Sequence, residues 1–177
     1  MRKVTRAALA LAGSAALIGV TAVPSFAVTT GDTTVTVAAQ AGDLAITIPA
    51  APTLSRGVPG ADSTVTLAAT KVTDERAGIA AWTATVTLPT LSNGETTPDT
   101  IATTSATYTA DAATLTGVPT MATPTTKTDL STAKTSQTAS ATDGNNTASW
   151  TATLTIPIPA QALAADTYTG TMTQSVS

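Results

Sequence analysis

The sequence predicts an all-β protein, an antiparallel β-sandwich of immunoglobulin-like or related build. Three observations carry that expectation: threonine and other β-branched residues dominate the chain, apolar residues alternate with threonine in short runs, and turn-forming residues separate those runs. β-branched side chains lose rotamer freedom in a helix but pack well on a pleated surface. Alternation with a period of two buries one face of a strand and leaves the other in water. Two sheets packed face to face would then enclose the apolar parity of every strand.

The first element is a leader. Arg2, Lys3 and Arg6 precede an apolar run over residues 7–23, followed by Pro24, Ser25, Phe26 and Ala27. Small residues at Ser25 and Ala27 fit the positions a signal peptidase reads, so a secretory signal peptide is expected over residues 1–27, cut after Ala27. The run is short for a bilayer span and is interrupted by Gly13 and Ser14, which favours cleavage over retention as an anchor. Residues 28–177 are expected to form one β-sandwich domain, secreted, with no membrane segment after cleavage. Three of the eight basic residues lie ahead of the cut and all eleven acidic ones lie beyond it, which leaves a net charge of −6.

Strands follow in order. Val35 and Val37, then Leu44, Ile46 and Ile48, then Val65 and Leu67, each mark an inward parity. The clearest run is AAWTATVTL, with Trp82, Ala84, Val86 and Leu88 on one parity and Thr83, Thr85 and Thr87 on the other. A weaker strand is expected over residues 101–108. Trp150, Ala152, Leu154 and Ile156 repeat the clear pattern, and Tyr168, Met172 and Val176 face away from Thr167, Thr169, Thr171 and Thr173 in the last run. Turns are expected at Ala41-Gly42-Asp43, Val58-Pro59-Gly60, Ser92-Asn93-Gly94 and Asp143-Gly144-Asn145-Asn146, the last as a hairpin. Residues 159–165 (PAQALAA) read as a short helical turn before the last strand. Residues 119–141 are poor in large apolar side chains and read as a low-complexity surface excursion, with residues 133–141 able to pair as an edge strand.

The phrase AAWTATVTLP at residues 80–89 returns as ASWTATLTIP at 148–157, and the chain's two tryptophans lie in these copies. In a core built largely from alanine, Trp82 and Trp150 are natural fillers of the space between sheets. The other reading places one or both at an exposed edge as a platform for sugar rings. Beside Trp82 in sequence lies the cluster Asp74-Glu75-Arg76. It reads as an ion pair bracing a connection or, with Trp82, as polar recognition. The candidate binding residues are therefore Trp82, Trp150, Asp74 and Arg76.

Val72-Thr73-Asp74-Glu75-Arg76-Ala77-Gly78, followed by Trp82-Thr83-Ala84 and later by Trp150-Thr151-Ala152-Thr153-Leu154 and Asp166-Thr167-Tyr168-Thr169-Gly170-Thr171-Met172-Thr173, resembles the WxL-domain surface proteins of Gram-positive bacteria. The alanine- and threonine-rich idiom looks actinobacterial. Here neither tryptophan is followed directly by x-Leu, and the final strand carries Tyr168 in place of a tryptophan. The resemblance implies secretion, a β-rich fold and non-covalent association with peptidoglycan.

Chemistry is bounded by composition. The chain has no histidine and no cysteine, which removes Ser-His-Asp and Cys-His catalysis and the usual zinc sites. Most acids, among them Asp43, Asp62, Glu95, Asp99, Asp111 and Asp143, sit in turn contexts rather than as a pair poised for glycoside hydrolysis. The spacing of Asp143-Gly144-Asn145-Asn146 does not make a calcium loop, and no glycine-rich phosphate cradle follows a strand. Scattered lysine and arginine in an acidic chain exclude nucleic acid. The expectation is a secreted, non-enzymatic protein without cofactor or metal, associated with the cell wall through peptidoglycan or other surface proteins. A self-assembling surface-layer or fibre subunit is the alternative, and a secreted carbohydrate-active enzyme the third.

Overall fold

In the computed structural model, residues 34–50, 54, 57–97, 99–163 and 167–177 are described. The expected leader with its cut after Ala27, and residues 164–166, lie outside them. The chain divides into two units, Met1–Val37 and Ala38–Ser177. Of the first, residues 34–37 are described; they form no strand, and Val35 and Val37 are 81% and 83% exposed. The strand expected there does not form, because alternation supplies a face but only a hydrogen-bonded neighbour holds a strand in place.

The second unit is all-β and antiparallel, with no helix among the described residues. In chain order the strands are β1 (Leu44–Thr47), β2 (Asp62–Asp74), β3 (Trp82–Thr87), β4 (Leu91–Ser92), β5 (Thr100–Ile101) and β6 (Thr107–Ala110). They continue with β7 (Thr114–Thr116), β8 (Thr120–Met121), β9 (Lys127–Thr128), β10 (Lys134–Ala141), β11 (Asn146–Pro157) and β12 (Thr173–Val176). One sheet runs β1-β2-β11-β6-β9, with β7 also on β11; a second runs β12-β3-β10-β8; β4 and β5 form a small ribbon.

The two copies of the repeated phrase are β3 and β11, and they belong to different sheets. Their common parity sends Trp82, Ala84 and Val86 from one sheet, and Trp150, Ala152, Leu154 and Ile156 from the other, into a single buried cluster. The indole rings meet across it in a stacked arrangement, centroids 6.5 Å apart and planes 15° apart. Each fully buried large side chain of this kind contributes about 1.5–3 kcal/mol, and an aromatic pair adds roughly 0.5–1.5 kcal/mol beyond its area. Alanines at 84, 139, 148 and 152 let the strands carrying them lie close while the tryptophans fill the remaining space.

A β-bulge divides β2. Opposite β11, Thr70 pairs with Trp150 but Leu67 pairs with Ala152, so Ala68 and Ala69 together face one residue and both stay exposed. Because strand side chains alternate, one extra residue exchanges the inward and outward sets. Ser63 and Leu67 point inward before the bulge; Thr70, Val72 and Asp74 do so after it. Asp74 is therefore buried, at 2% exposure.

Residues 119–141 depart from the expected excursion. They contain β8, β9 and β10, and β10 is an interior strand, paired with β3 on one side and β8 on the other. Its inward side chains are Ser136, Gln137 and Ala139, small or polar enough to hide the strand from a hydrophobicity pattern. A register shift between Thr135 and Gln137 turns both Ser136 and Gln137 inward. Ser136 donates to the Ala84 carbonyl at 3.1 Å, and Gln137 Nε2 to the Asp111 carbonyl at 2.9 Å. Nor is the turn at Asp143-Gly144-Asn145-Asn146 a hairpin: it carries the chain from β10 in one sheet to β11 in the other. Gly144 adopts φ 66° there, in the left-handed region glycine tolerates. The expected strand over 101–108 is broken between β5 and β6, and residues 159–163 form a turn closed by Ala162 N donating to the Pro159 carbonyl at 3.0 Å.

Candidate functional site

The four residues selected from the sequence form two linked arrangements. Trp82 and Trp150 are 1% and 2% exposed, so neither ring offers a face to solvent. The two indoles differ in one respect. Trp150 Nε1 donates to the Tyr108 hydroxyl at 3.2 Å, whereas Trp82 Nε1 is buried without a hydrogen-bond partner. Burial pushes the Tyr108 phenol above its usual pKa, against the opposing effect of the Trp150 bond.

Asp74, turned inward by the bulge, meets Arg76 as a two-pronged pair: Arg76 Nε lies 2.9 Å from Oδ1 and Nη2 lies 3.0 Å from Oδ2. The Arg76 backbone N–H donates to the same carboxylate at 3.1 Å. These bonds hold Asp74 below the usual carboxylate range against the opposing effect of burial, with Asn146, its register partner on β11, also helping. Arg76 Nη2 then reaches the carbonyls of Ala80 and Ala81 at 3.1 and 3.2 Å. Ala81 immediately precedes Trp82, so the guanidinium ties the end of β2 to the start of β3. Its fork of donors suits that task better than a single ammonium would.

The outer face of the larger sheet presents a different arrangement. Register aligns Thr64, Thr155, Thr107 and Thr128 in one row across β2, β11, β6 and β9. The neighbouring row aligns Thr66, Thr153 and Thr109, and Thr126 extends it through a 2.9 Å hydroxyl contact with Thr109. Strands lie about 4.8 Å apart and alternate residues about 6.7 Å apart along a strand, so the eight threonines form a two-dimensional lattice of hydroxyl and methyl groups. Acids stand at its two ends: Asp62 pairs with Pro157 beyond the first row, and Asp111 accepts from Thr151 beyond the second. Thr64 and Thr155 share a 3.2 Å hydroxyl contact within it. On the second sheet Thr87 pairs with Thr173, and Thr85 with Ser175 and Thr135; the Thr85 and Ser175 hydroxyls are 2.8 Å apart. The alternation marks these threonines as outward-facing, but their rows depend on strand pairing, which alternation does not encode.

Among the described residues no group of three acidic side chains is placed to hold a metal ion, and no helix is long and apolar enough to cross a membrane. Comparison with known protein families, with curated proteins and with solved structures returned no match.

Proposed function

We propose that the protein is a secreted, non-enzymatic, WxL-like surface protein that associates non-covalently with the cell wall, and that the threonine lattice is its contact with the peptidoglycan. The lattice carries this reading. Each threonine offers a hydroxyl that donates and accepts and a methyl that packs, the two chemistries presented by the edges and C–H faces of sugar rings. A repeating glycan can engage successive rows at once, so individually weak bonds of about 0.5–1.5 kcal/mol act together. The buried tryptophans supply the rigid core on which a regular outer surface depends.

The test is co-sedimentation of residues 28–177 with purified sacculi, beside a Thr64→Glu, Thr109→Glu variant shown to be folded by circular dichroism. Binding by the parent and its loss in the folded variant is the expected result. A parent that stays in the supernatant across salt and pH overturns the proposal; binding that survives in the variant moves the contact away from the lattice.

A second reading, self-assembly into a layer or fibre, is favoured by β1 and β12. Each pairs on one side in its sheet and carries no proline or charge to discourage a further strand. Sizing over a concentration series decides it, since a strict monomer removes its basis.

A further inference from the structure

A cavity of about 520 Å³ opens between the two sheets. Leu67, Leu154 and Ile156 line it from β2 and β11; Leu88, Leu91 and Met172 line it from the residue after β3, from β4 and from the residue before β12. Its size falls within the roughly 300–1,000 Å³ of pockets that enclose a small organic ligand. The walls are aliphatic, and none of the described residues lining it is charged. Hydroxyls gather at one side, where Thr167, Tyr168, Thr169 and Thr171 follow one another, with the three threonines exposed.

We infer that this cavity binds the hydrocarbon chain of a neutral single-chain amphiphile, with its polar head among the exposed hydroxyls of Thr167, Thr169 and Thr171. Aliphatic walls without a buried polar group match a methylene chain, whose transfer from water contributes about 0.8 kcal/mol per CH₂. The rim decides the head group. Tyr168 Oη donates to Asp99 Oδ2, which places a carboxylate one hydrogen bond beyond the lining Tyr168, and this bond holds the Asp99 carboxyl below its usual range. An anionic head would meet that carboxylate with no cation among the described lining residues; a glycerol or alcohol head meets the exposed hydroxyls of Thr167, Thr169 and Thr171. The site is separate from the threonine lattice and independent of wall binding.

The experiment is fluorescence titration of residues 28–177 with the neutral dye phenylnaphthylamine, followed by displacement with monolaurin and with laurate. Saturable dye binding, displaced by monolaurin at about ten-fold lower concentration than by laurate, is the expected result. Met172→Trp, which fills the cavity from a half-buried position, is expected to weaken binding about ten-fold or more while the circular dichroism spectrum is retained. Should that variant fail to fold, Ile48→Trp at the 44% exposed rim takes its place. Absence of saturable binding by the parent, unchanged affinity in the folded variant, or laurate displacing the dye as well as monolaurin each overturns the inference.

Discussion

Replacing each tryptophan with phenylalanine separates two residues that the repeated phrase makes look equivalent. Both substitutions remove the same atoms from the same buried stack, so the losses in packing and transfer, about 1–3 kcal/mol, are similar. Hydrogen bonding is where they part. Trp82→Phe deletes an indole N–H that is buried without a partner, and relieving such a group returns roughly 1–3 kcal/mol. Trp150→Phe deletes the donor to Tyr108, leaving that phenol short of a bond in a fully buried site, at a cost of similar size. Trp150→Phe is therefore expected to be the more damaging by at least about 2 kcal/mol. In urea unfolding followed by far-ultraviolet circular dichroism, that difference separates the midpoints by roughly 1 M for a slope near 2 kcal/mol/M. Equal midpoints, or a lower one for Trp82→Phe, would refute the hydrogen-bond assignment.

Other consequences follow from the same structure. Arg76→Ala leaves the buried Asp74 carboxylate without its pair and is expected to cost about 2–4 kcal/mol at neutral pH, read from denaturant midpoints. Asp74 has a folded-state pKa below its unfolded value near 3.9, so its contribution is complete above about pH 4 and disappears as pH falls through the depressed value. The penalty for Arg76→Ala should therefore shrink in acid; one that is constant from pH 7 to pH 2 would contradict the pairing. Gly117→Ala is expected to destabilise by several kcal/mol, because at φ 83° its Cβ would lie 2.9 Å from the Asn145 carbonyl oxygen. Gly94→Ala meets no atom within 4 Å at φ 75° and should cost only about 1–2 kcal/mol in backbone strain, so thermal scans should rank the two clearly. Deleting Ala69 removes the extra residue of the bulge and places Thr70 two steps after Leu67, so Thr70, Val72 and Asp74 keep their inward parity opposite β11; the expected result is a retained cooperative transition with a near-native midpoint, and its loss would show that the bulge itself is required there.

Much of the fold is legible in the sequence where large side chains alternate with threonine. The inward sets of β3 and β11 follow directly from Trp82, Ala84 and Val86, and from Trp150, Ala152, Leu154 and Ile156. Legibility fails where the inward set is small or polar: Ser136, Gln137 and Ala139 carry an interior strand without a hydrophobic signal. It also fails at the bulge, since Ala68-Ala69 looks like any step along a strand and yet decides that Asp74 faces inward. The Asp74-Glu75-Arg76 cluster was visible as charge, but the fork on Asp74 and the tether to Ala80 and Ala81 are properties of the folded turn. Rows of threonine lie further from view, because Thr64 and Thr155 become neighbours only when strands far apart in the chain choose a register. The inter-sheet cavity is likewise a property of how two sheets separate, which no single segment records.

The stacked indoles give the molecule an optical reporter of its own. As the chain's two tryptophans, held 6.5 Å apart and nearly parallel on opposite sheets, they are close enough for their electronic transitions to couple. The resulting exciton signal in circular dichroism depends on both rings and vanishes when either is replaced. Secondary structure and inter-sheet closure can therefore be followed separately in one unlabelled sample: the backbone bands report that strands exist, and the couplet reports that the sheets have met.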